Sequence, residues 1–437
     1  MDSQKEKFGF WSIVLLGINA IVGTGIFLLP NKAYSIIGSA SLGVLLFDAL
    51  LAGCIALCFA EVAGFFSRNG GPYLYAKHAL GDFWGFEVGV LKWIVIMIAW
   101  AAMSVGFATA LGAAFPALGG DTNKDIIATI IIVLLTVLNI LGVNVSKILN
   151  NLITVSKLVP LFVFIAVGLF FLNGSNFTPL FPNDTYVEGS FAQAAVLLFF
   201  AYTGFEAIAV SAEDMDNPKR NLPRAIITVM IIVSVLYMAV LAVSIGVLGP
   251  ELANTKAPVQ DAFNAIIGPV GLYFVLAGTL LSMGGINFAQ AYFAPRVATA
   301  LAEDGMLPAA LAKRNKNNIP YVAAIITALG SLALAWSGSF TTLAAISAVS
   351  RFTQYLPTCI AVIIFRRKWA HKERSYTIPG GYTIPIIAIA TSLWILAQAQ
   401  VHQLLWGLGG CIVIIPLYFL YLRKKRAGLI KEHDDFN

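Results

Sequence analysis

Two short segments set glycine and small hydroxyl residues inside long apolar runs: Val22-Gly23-Thr24-Gly25-Ile26 and Tyr202-Thr203-Gly204-Phe205-Glu206. Glycine weakens a helix interior by about 1 kcal/mol relative to alanine. A break inside hydrocarbon also releases amides and carbonyls that must find other partners. The chemistry this offers is binding rather than bond-making. Amides freed near Gly25 to Phe27 begin a new half-helix, whose positive end suits a carboxylate. Carbonyls freed around Ala20 to Val22, and around Phe200 to Thr203, suit an ammonium group. Together they fit a zwitterionic amino acid. Read alone, Gly23 and Gly25 could simply let helices approach closely; paired with the second break, they point to a polar ligand held at a membrane midplane.

Charged residues inside apolar runs are the next chemical signal. Lys157 lies in Thr154-Val155-Ser156-Lys157-Leu158-Val159-Pro160. A charge at the bilayer centre costs roughly 2.5–3.5 kcal/mol on insertion scales, so such residues usually face a cavity and serve a pathway. The alternative is a lysine snorkelling from near a helix end. Glu206 follows the second break by two residues and is read as a proton-handling or hydrogen-bonding group beside the ligand. Arg351, in Ser350-Arg351-Phe352-Thr353-Gln354-Tyr355, either pairs with an acid or binds an anionic side chain, and pairing is the stronger reading. Asp48, Glu61, Glu87 and Lys92 fall toward segment ends or on amphipathic faces, where solvated or packing roles are expected. Histidines 78, 371, 402 and 433 are scattered, and the chain contains no GxSxG, HExxH or Walker sequence. No catalytic residue, metal site or cofactor is therefore expected, and transport would not be driven by ATP. Cys54, Cys58, Cys359 and Cys411 lie in apolar runs and read as packing residues.

The elements that must position these residues follow from composition. Of 437 residues, 59% are apolar and 11% charged, with a mean hydropathy of +0.83, whereas soluble domains carry roughly a quarter charged residues. A span needs about 20 mostly apolar residues. Twelve such segments are predicted, near 10–30, 40–66, 84–115, 125–143, 150–172, 191–212, 223–248, 270–302, 320–337, 341–366, 382–400 and 403–422. The first run lacks a small-residue cleavage site and is expected to stay as a span. Most of the 28 Lys and Arg residues then fall on one side, whereas Lys32, Lys124 and Lys256 fall on the other. This positive-inside pattern puts both termini in the cytoplasm and argues against nucleic acid as a partner. The first and sixth segments each open a set of five. Because five is odd, the second set starts on the opposite face, as an inverted repeat requires. The expected organisation is a single transmembrane domain over 1–437, with repeat one near 10–172, repeat two near 191–366 and additional helices near 382–422. Trp11, Trp84, Trp93, Tyr73 and Tyr75 are expected to form the interfacial aromatic belt. Gly70-Gly71-Pro72-Tyr73 reads as a cytoplasmic turn.

Four motifs, in this order and spacing, carry a resemblance that covers nearly the whole chain. They are Gly23-Thr24-Gly25-Ile26-Phe27-Leu28-Leu29-Pro30, Gly70-Gly71-Pro72-Tyr73-Leu74-Tyr75-Ala76, Phe199-Phe200-Ala201-Tyr202-Thr203-Gly204-Phe205-Glu206 and Asn217-Pro218-Lys219-Arg220-Asn221-Leu222-Pro223-Arg224-Ala225. The sequence resembles amino acid permeases of the amino acid, polyamine and organocation transporter superfamily. That resemblance implies an all-α membrane protein of twelve transmembrane helices in the leucine-transporter fold, a five-plus-five inverted repeat with helices 1 and 6 broken. Substrate would lie between these and the third, eighth and tenth helices. By the same resemblance the backbone at Gly23, Thr24 and Gly25 binds the substrate carboxylate. Phe200 matches an aromatic that gates the site from outside, and Ile286, after Gly284-Gly285, matches a side-chain contact. Ile21, Ala201, Thr203, Trp100, Met103 and Asn287 complete the expected substrate-binding set; Lys157, Glu206 and Tyr202 are the expected coupling and gating residues. In members needing no sodium, a lysine at the place of Lys157 occupies the sodium site of sodium-coupled relatives, and proton release from it would be a coupling step. In the arginine-agmatine exchangers the places of Phe200 and Ile286 hold tryptophan, so an arginine-specific, acid-resistance role is disfavoured.

The expected function is sodium-independent secondary transport of amino acids across the cell membrane by alternating access. Neutral substrates are favoured over cationic ones, and proton symport and exchange both remain open. The partners are an amino acid, protons and lipid, and the assembly is a monomer or homodimer. The alternatives are an exchanger of a cationic or acidic amino acid for its decarboxylated amine and, from a different class, a channel, which would not require paired breaks.

Overall fold

A computed structural model of the chain describes residues 9–66, 71–142, 147–206, 208, 215, 217–371 and 376–427. The chain is all-helical, with no strand among the described residues. In order, the helices are α1 (Phe10–Ile21), α2 (Thr24–Leu28), α3 (Pro30–Ile37), α4 (Ser41–Ala63), α5 (Pro72–Leu80), α6 (Asp82–Ala114), α7 (Asp121–Ile140), α8 (Lys147–Gly168) and α9 (Ser190–Tyr202). They continue as α10 (Pro218–Leu248), α11 (Pro258–Ile267), α12 (Pro269–Glu303), α13 (Tyr321–Ser337), α14 (Phe340–Lys368), α15 (Thr383–Gln398), α16 (Val401–Leu408), α17 (Gly410–Val413) and α18 (Ile415–Arg426).

Among the described residues, seven helical stretches, 30–63, 82–114, 121–140, 220–254, 269–303, 340–368 and 401–423, are long and apolar enough to cross a bilayer. Shorter apolar helices include α1, α9, α13 and α15. Two of these, α1 and α9, are short because the glycine-containing segments end them. Gly71 holds a positive φ of 61° and Pro72 starts α5, so the third motif residue of the turn opens a helix, since proline lacks an amide that a first turn would leave unpaired. Gly70 lies outside the described residues.

Where apolar residues face outward, the pattern is that of a lipid-facing surface. On α7, Ile126, Ile130, Val133 and Val137 recur at helical spacing and are exposed. Leu405, Trp406, Ile412 and Val413 do the same near the C-terminal helices. The interior instead holds polar residues such as Thr24, Lys157, Ser282, Asn287, Arg351 and Gln354. In lipid no hydrophobic force separates the two faces, so polar groups gather where they can bond to one another.

Several residues expected at interfaces lie inside. Trp11 and Trp84 are exposed, but Trp93 is buried and donates to Thr327 Oγ1 at 2.9 Å, and Tyr75 is buried against Phe59 and Phe66. Of the two roles open to Asp48, Glu61 and Glu87, solvated or packing, burial leaves packing. Glu61 is held by Arg366, which donates from Nε at 2.7 Å and from its terminal nitrogen at 2.5 Å, and by the Ile378 amide at 2.8 Å. Hydropathy identifies a segment as apolar but leaves open which side of it faces protein.

Candidate functional site

The first break separates α1 from α2. Val22 is extended, and Gly23 adopts φ −139°, ψ −148°, before Thr24 resumes the helix. The last carbonyls of α1 lose their intrahelical donors here, and side chains from three other helices replace them. Lys157 Nζ, on α8, donates to the carbonyls of Asn19 and Val22, both at 2.7 Å. Ser282 on α12 donates to Val22 at 3.3 Å, and the Tyr237 hydroxyl on α10 donates to Ile21 at 3.1 Å. The Lys157 side chain is wholly buried, so it is no snorkelling lysine. A carbonyl oxygen has two lone pairs. That of Val22 thus has both filled by protein donors, which removes it from the carbonyls expected to meet a ligand ammonium.

The second break follows Tyr202. Thr203 is extended, and Gly204 takes a φ of 115°, a left-handed value that glycine adopts without strain. The Phe200 carbonyl receives both the Thr203 amide at 3.2 Å and its hydroxyl at 2.7 Å, so this oxygen is also filled. The Gly204 amide donates to Glu206 Oε2 at 3.0 Å, and the same carboxylate accepts from the Tyr355 hydroxyl at 3.0 Å and from the Arg351 guanidinium. Arg351 and Tyr355 are one helical turn apart on α14, so they reach the carboxylate from one face.

The two breaks lie against each other. A methyl group on Gly25 would come within 2.7 Å of the Ala201 Cα, and one on Gly204 would strike the Ala20 carbonyl. Contacts of 25 with 201 and 20 with 204 mean that the two broken segments pass antiparallel. A methyl on Gly23 would sit 2.7 Å from Ile286 Cδ1 and 3.2 Å from Met103 Cε. The Thr24 hydroxyl donates to Met103 Sδ at 3.1 Å. Phe200 packs edge-on against Phe340 at the start of α14, with ring centroids 6.1 Å apart. Around the breaks the structure thus gathers Ile21, Gly23, Thr24, Gly25, Met103, Phe200, Ala201, Tyr202, Thr203, Ile286, Lys157 and Glu206.

Two expected lining residues behave differently. Asn287 accepts from the Ser104 hydroxyl at 2.7 Å and donates to the Met283 carbonyl at 2.9 Å, so its amide fastens α6 to α12. Trp100 is buried on α6, and its indole Nε1 has no hydrogen-bond acceptor among the described residues. Ser104, Tyr237, Ser282, Phe340 and Tyr355 were not singled out from sequence. Hydroxyl and aromatic residues are frequent in apolar segments, and nothing local marks these five; the signal that could have found them is the need of a broken helix for replacement donors.

Comparison with known proteins adds an independent finding. Residues 8–415 match the sequence pattern of the family described as amino acid permease. The branched-chain amino acid permease BcaP of Bacillus subtilis is 30% identical, with 97% of this chain and 94% of that protein aligned. The methylthioribose transporter of the same organism is 27% identical over 97% of this chain and 94% of its own length. The serine/threonine exchanger SteT, also of Bacillus subtilis, is 27% identical over 98% of this chain and 99% of its own length.

Proposed function

Because the chain belongs to the amino acid permease family, we propose that it carries neutral amino acids across the cell membrane by alternating access, without sodium. The observation that supports this most is the pair of antiparallel breaks, with Lys157 seated on the carbonyls that the first one frees. In this reading twelve spans form a single domain. Two inverted sets of five, near 10–172 and 191–366, are followed by helices near 382–422, with both termini cytoplasmic. The antiparallel passage of the breaks is what an inverted pair of sets would produce.

The substrate carboxylate meets the amides opening α2 at Thr24 and Gly25, where the helix terminus favours negative charge. With the Val22 and Phe200 carbonyls filled, the ammonium group falls to the carbonyls of Ala201 to Thr203. Ile21, Met103, Phe200 and Ile286 supply apolar contact, and the indole Nε1 of Trp100 supplies a buried donor. Asn287 shapes the pocket by holding α6 and α12 together. Phe200, closed on Phe340, is the outer gate. Lys157 fills the place of a coupling cation, which leaves no room for sodium between Asn19 and Val22.

Neutral substrates are favoured because Glu206, the acid at the second break, is neutralised by Arg351 and bonded by the Tyr355 hydroxyl, and would not attract a cationic side chain. The named specificities of the relatives, branched-chain, hydroxyl-bearing and thioether-bearing, are compatible with an uncharged pocket. Purified protein in liposomes, assayed for counterflow against all amino acids, decarboxylation amines and methylthioribose, tests the reading. Saturable counterflow of one or more neutral amino acids is expected. Counterflow of amines or methylthioribose alone would overturn the substrate assignment, and unsaturable ion currents would replace the transporter with a channel.

A further inference from the structure

Asp48 is the eighth residue of α4, and its side chain is wholly buried. Neither carboxylate oxygen has a hydrogen-bond partner among the described residues. Helix α4 packs against α3, α9, α10, α14 and α15, so the groups that could compensate a charge can be surveyed element by element. The titratable group of α9 beside Asp48 is Tyr202, whose ring stands against that of Tyr237 on α10; both are hydroxyls and not cations. On α14 both buried cations are committed elsewhere, Arg351 to Glu206 and Arg366 to Glu61. Lys32 on α3 is exposed, and α15 has no charged residue. On α4 itself Glu61 lies thirteen residues farther on, about 20 Å along the helix.

An ionised carboxylate in such a place would be unpaired in an apolar interior, which costs far more than burying its neutral acid form. The two tyrosines connect this acid to both breaks. Tyr202 is the last residue of α9 before the second break, and Asp48 lies near enough to bear electrostatically on its hydroxyl. The Tyr202 and Tyr237 rings are 5.4 Å apart, and the Tyr237 hydroxyl donates to the Ile21 carbonyl at the first break. A movement of either broken helix therefore alters the surroundings of Asp48.

We infer that Asp48 is the proton-binding carboxyl of this transporter, held as the neutral acid while the breaks are closed and ionising when the α4, α9 and α10 contact opens to water. This deepens the transport reading above and rests on it. In each cycle an O–H bond forms at Asp48 with a proton taken from one side and breaks to release it on the other. No electron transfer is involved. Coupling to substrate follows because Tyr202, beside Asp48, ends the helix whose break carries substrate contacts.

The test uses the full protein in liposomes, with radiolabelled leucine and threonine as probes, and infrared spectroscopy on the same preparations in detergent. An inside-alkaline gradient of about one pH unit should drive up to about tenfold accumulation, the limit for one coupled proton. Asp48→Asn should abolish that accumulation while counterflow stays within about twofold of the parent. The infrared spectrum of the parent should contain a protonated-carboxyl band that Asp48→Asn lacks. Accumulation retained in Asp48→Asn, or a parent indifferent to the gradient yet active in counterflow, overturns the inference and leaves the transport reading standing. If neither probe is transported, the neutral amino acid that counterflow identifies replaces them; if no amino acid is transported, the transport reading fails on its own, and the infrared band still decides the protonation of Asp48. Should Asp48→Asn not fold, Asp48→Glu replaces it: a shift of the band supports the assignment, and an unmoved band refutes it.

Discussion

At the first break the backbone groups set free are carbonyls, and what meets them is an ammonium, assisted by two hydroxyls: Lys157, Ser282 and Tyr237. At the second break a freed amide, that of Gly204, is met by a carboxylate, Glu206. The sign of the buried charge follows from which backbone group lost its partner, because a helix C-terminus is electronegative and an exposed amide is electropositive. The two charges are then balanced differently. Lys157 rests on neutral oxygens of α1, and its hold ends when that helix moves. Glu206 is tied by Arg351 and Tyr355 to α14, so the second break is anchored to a helix outside the broken pair. The first break is thus held by neutral acceptors bonded to three helices, α8, α10 and α12, and the second by one ion pair to α14.

Substitutions can break this comparison or sharpen it. The largest effect is expected at Arg351. Arg351→Met leaves Glu206 buried without its counter-charge, a loss of about 3–5 kcal/mol in stability. Pairing it with Glu206→Gln should recover much of that loss, as a double-mutant cycle by thermal melting in detergent will measure; equal losses in the single and double variants would mean that the ion pair does not anchor the break.

Lys157→Met comes next, because it strips donors from two carbonyls, at about 1–3 kcal/mol for a buried group left unsatisfied. Counterflow should be lost even where folded protein remains. Undiminished transport with unchanged pH dependence would remove the coupling role assigned to this lysine. Gly25→Ala tests the closeness of the two segments, since its methyl would meet the Ala201 backbone at 2.7 Å. Overpacking of this kind costs about 1–3 kcal/mol, and affinity for the probe amino acid, read by counterflow competition, should fall with it. The smallest effect belongs to Tyr237→Phe, which removes one hydrogen bond to Ile21 at about 1 kcal/mol. A melting-temperature change as large as that of Lys157→Met would show that the hydroxyl, rather than the ammonium, closes the first break.

Much of this architecture was legible in the sequence because the bilayer imposes strong rules. Long apolar runs gave the helical class, and glycines inside two of them located both breaks at Gly23 and Gly204. Lys157 was conspicuous because charge is rare in such runs. What stayed hidden were the relations between helices. Glu206 and Arg351 are 145 residues apart, and pairing was only one of two readings for Arg351. Trp93 is expected at an interface and is buried, and solvated and packing roles stay open for Asp48 and Glu61, because a window of hydropathy has no azimuth. Asn287 bonds Ser104 and Met283, a tie between α6 and α12 that nothing beside it in the chain marks.

By itself the sequence determined the kind of molecule: that it is built of apolar helices, and where two of them break and free backbone groups. These follow from local composition, because in hydrocarbon a backbone group must be satisfied close to where it arises. Tertiary structure alone decided which side chains satisfy it. Val22 and Phe200 have their oxygens filled, Glu206 is matched to Arg351, and Asp48 is enclosed without a counter-charge among the described residues because of how distant helices pack, and packing partners leave no mark on the residues beside them in the chain.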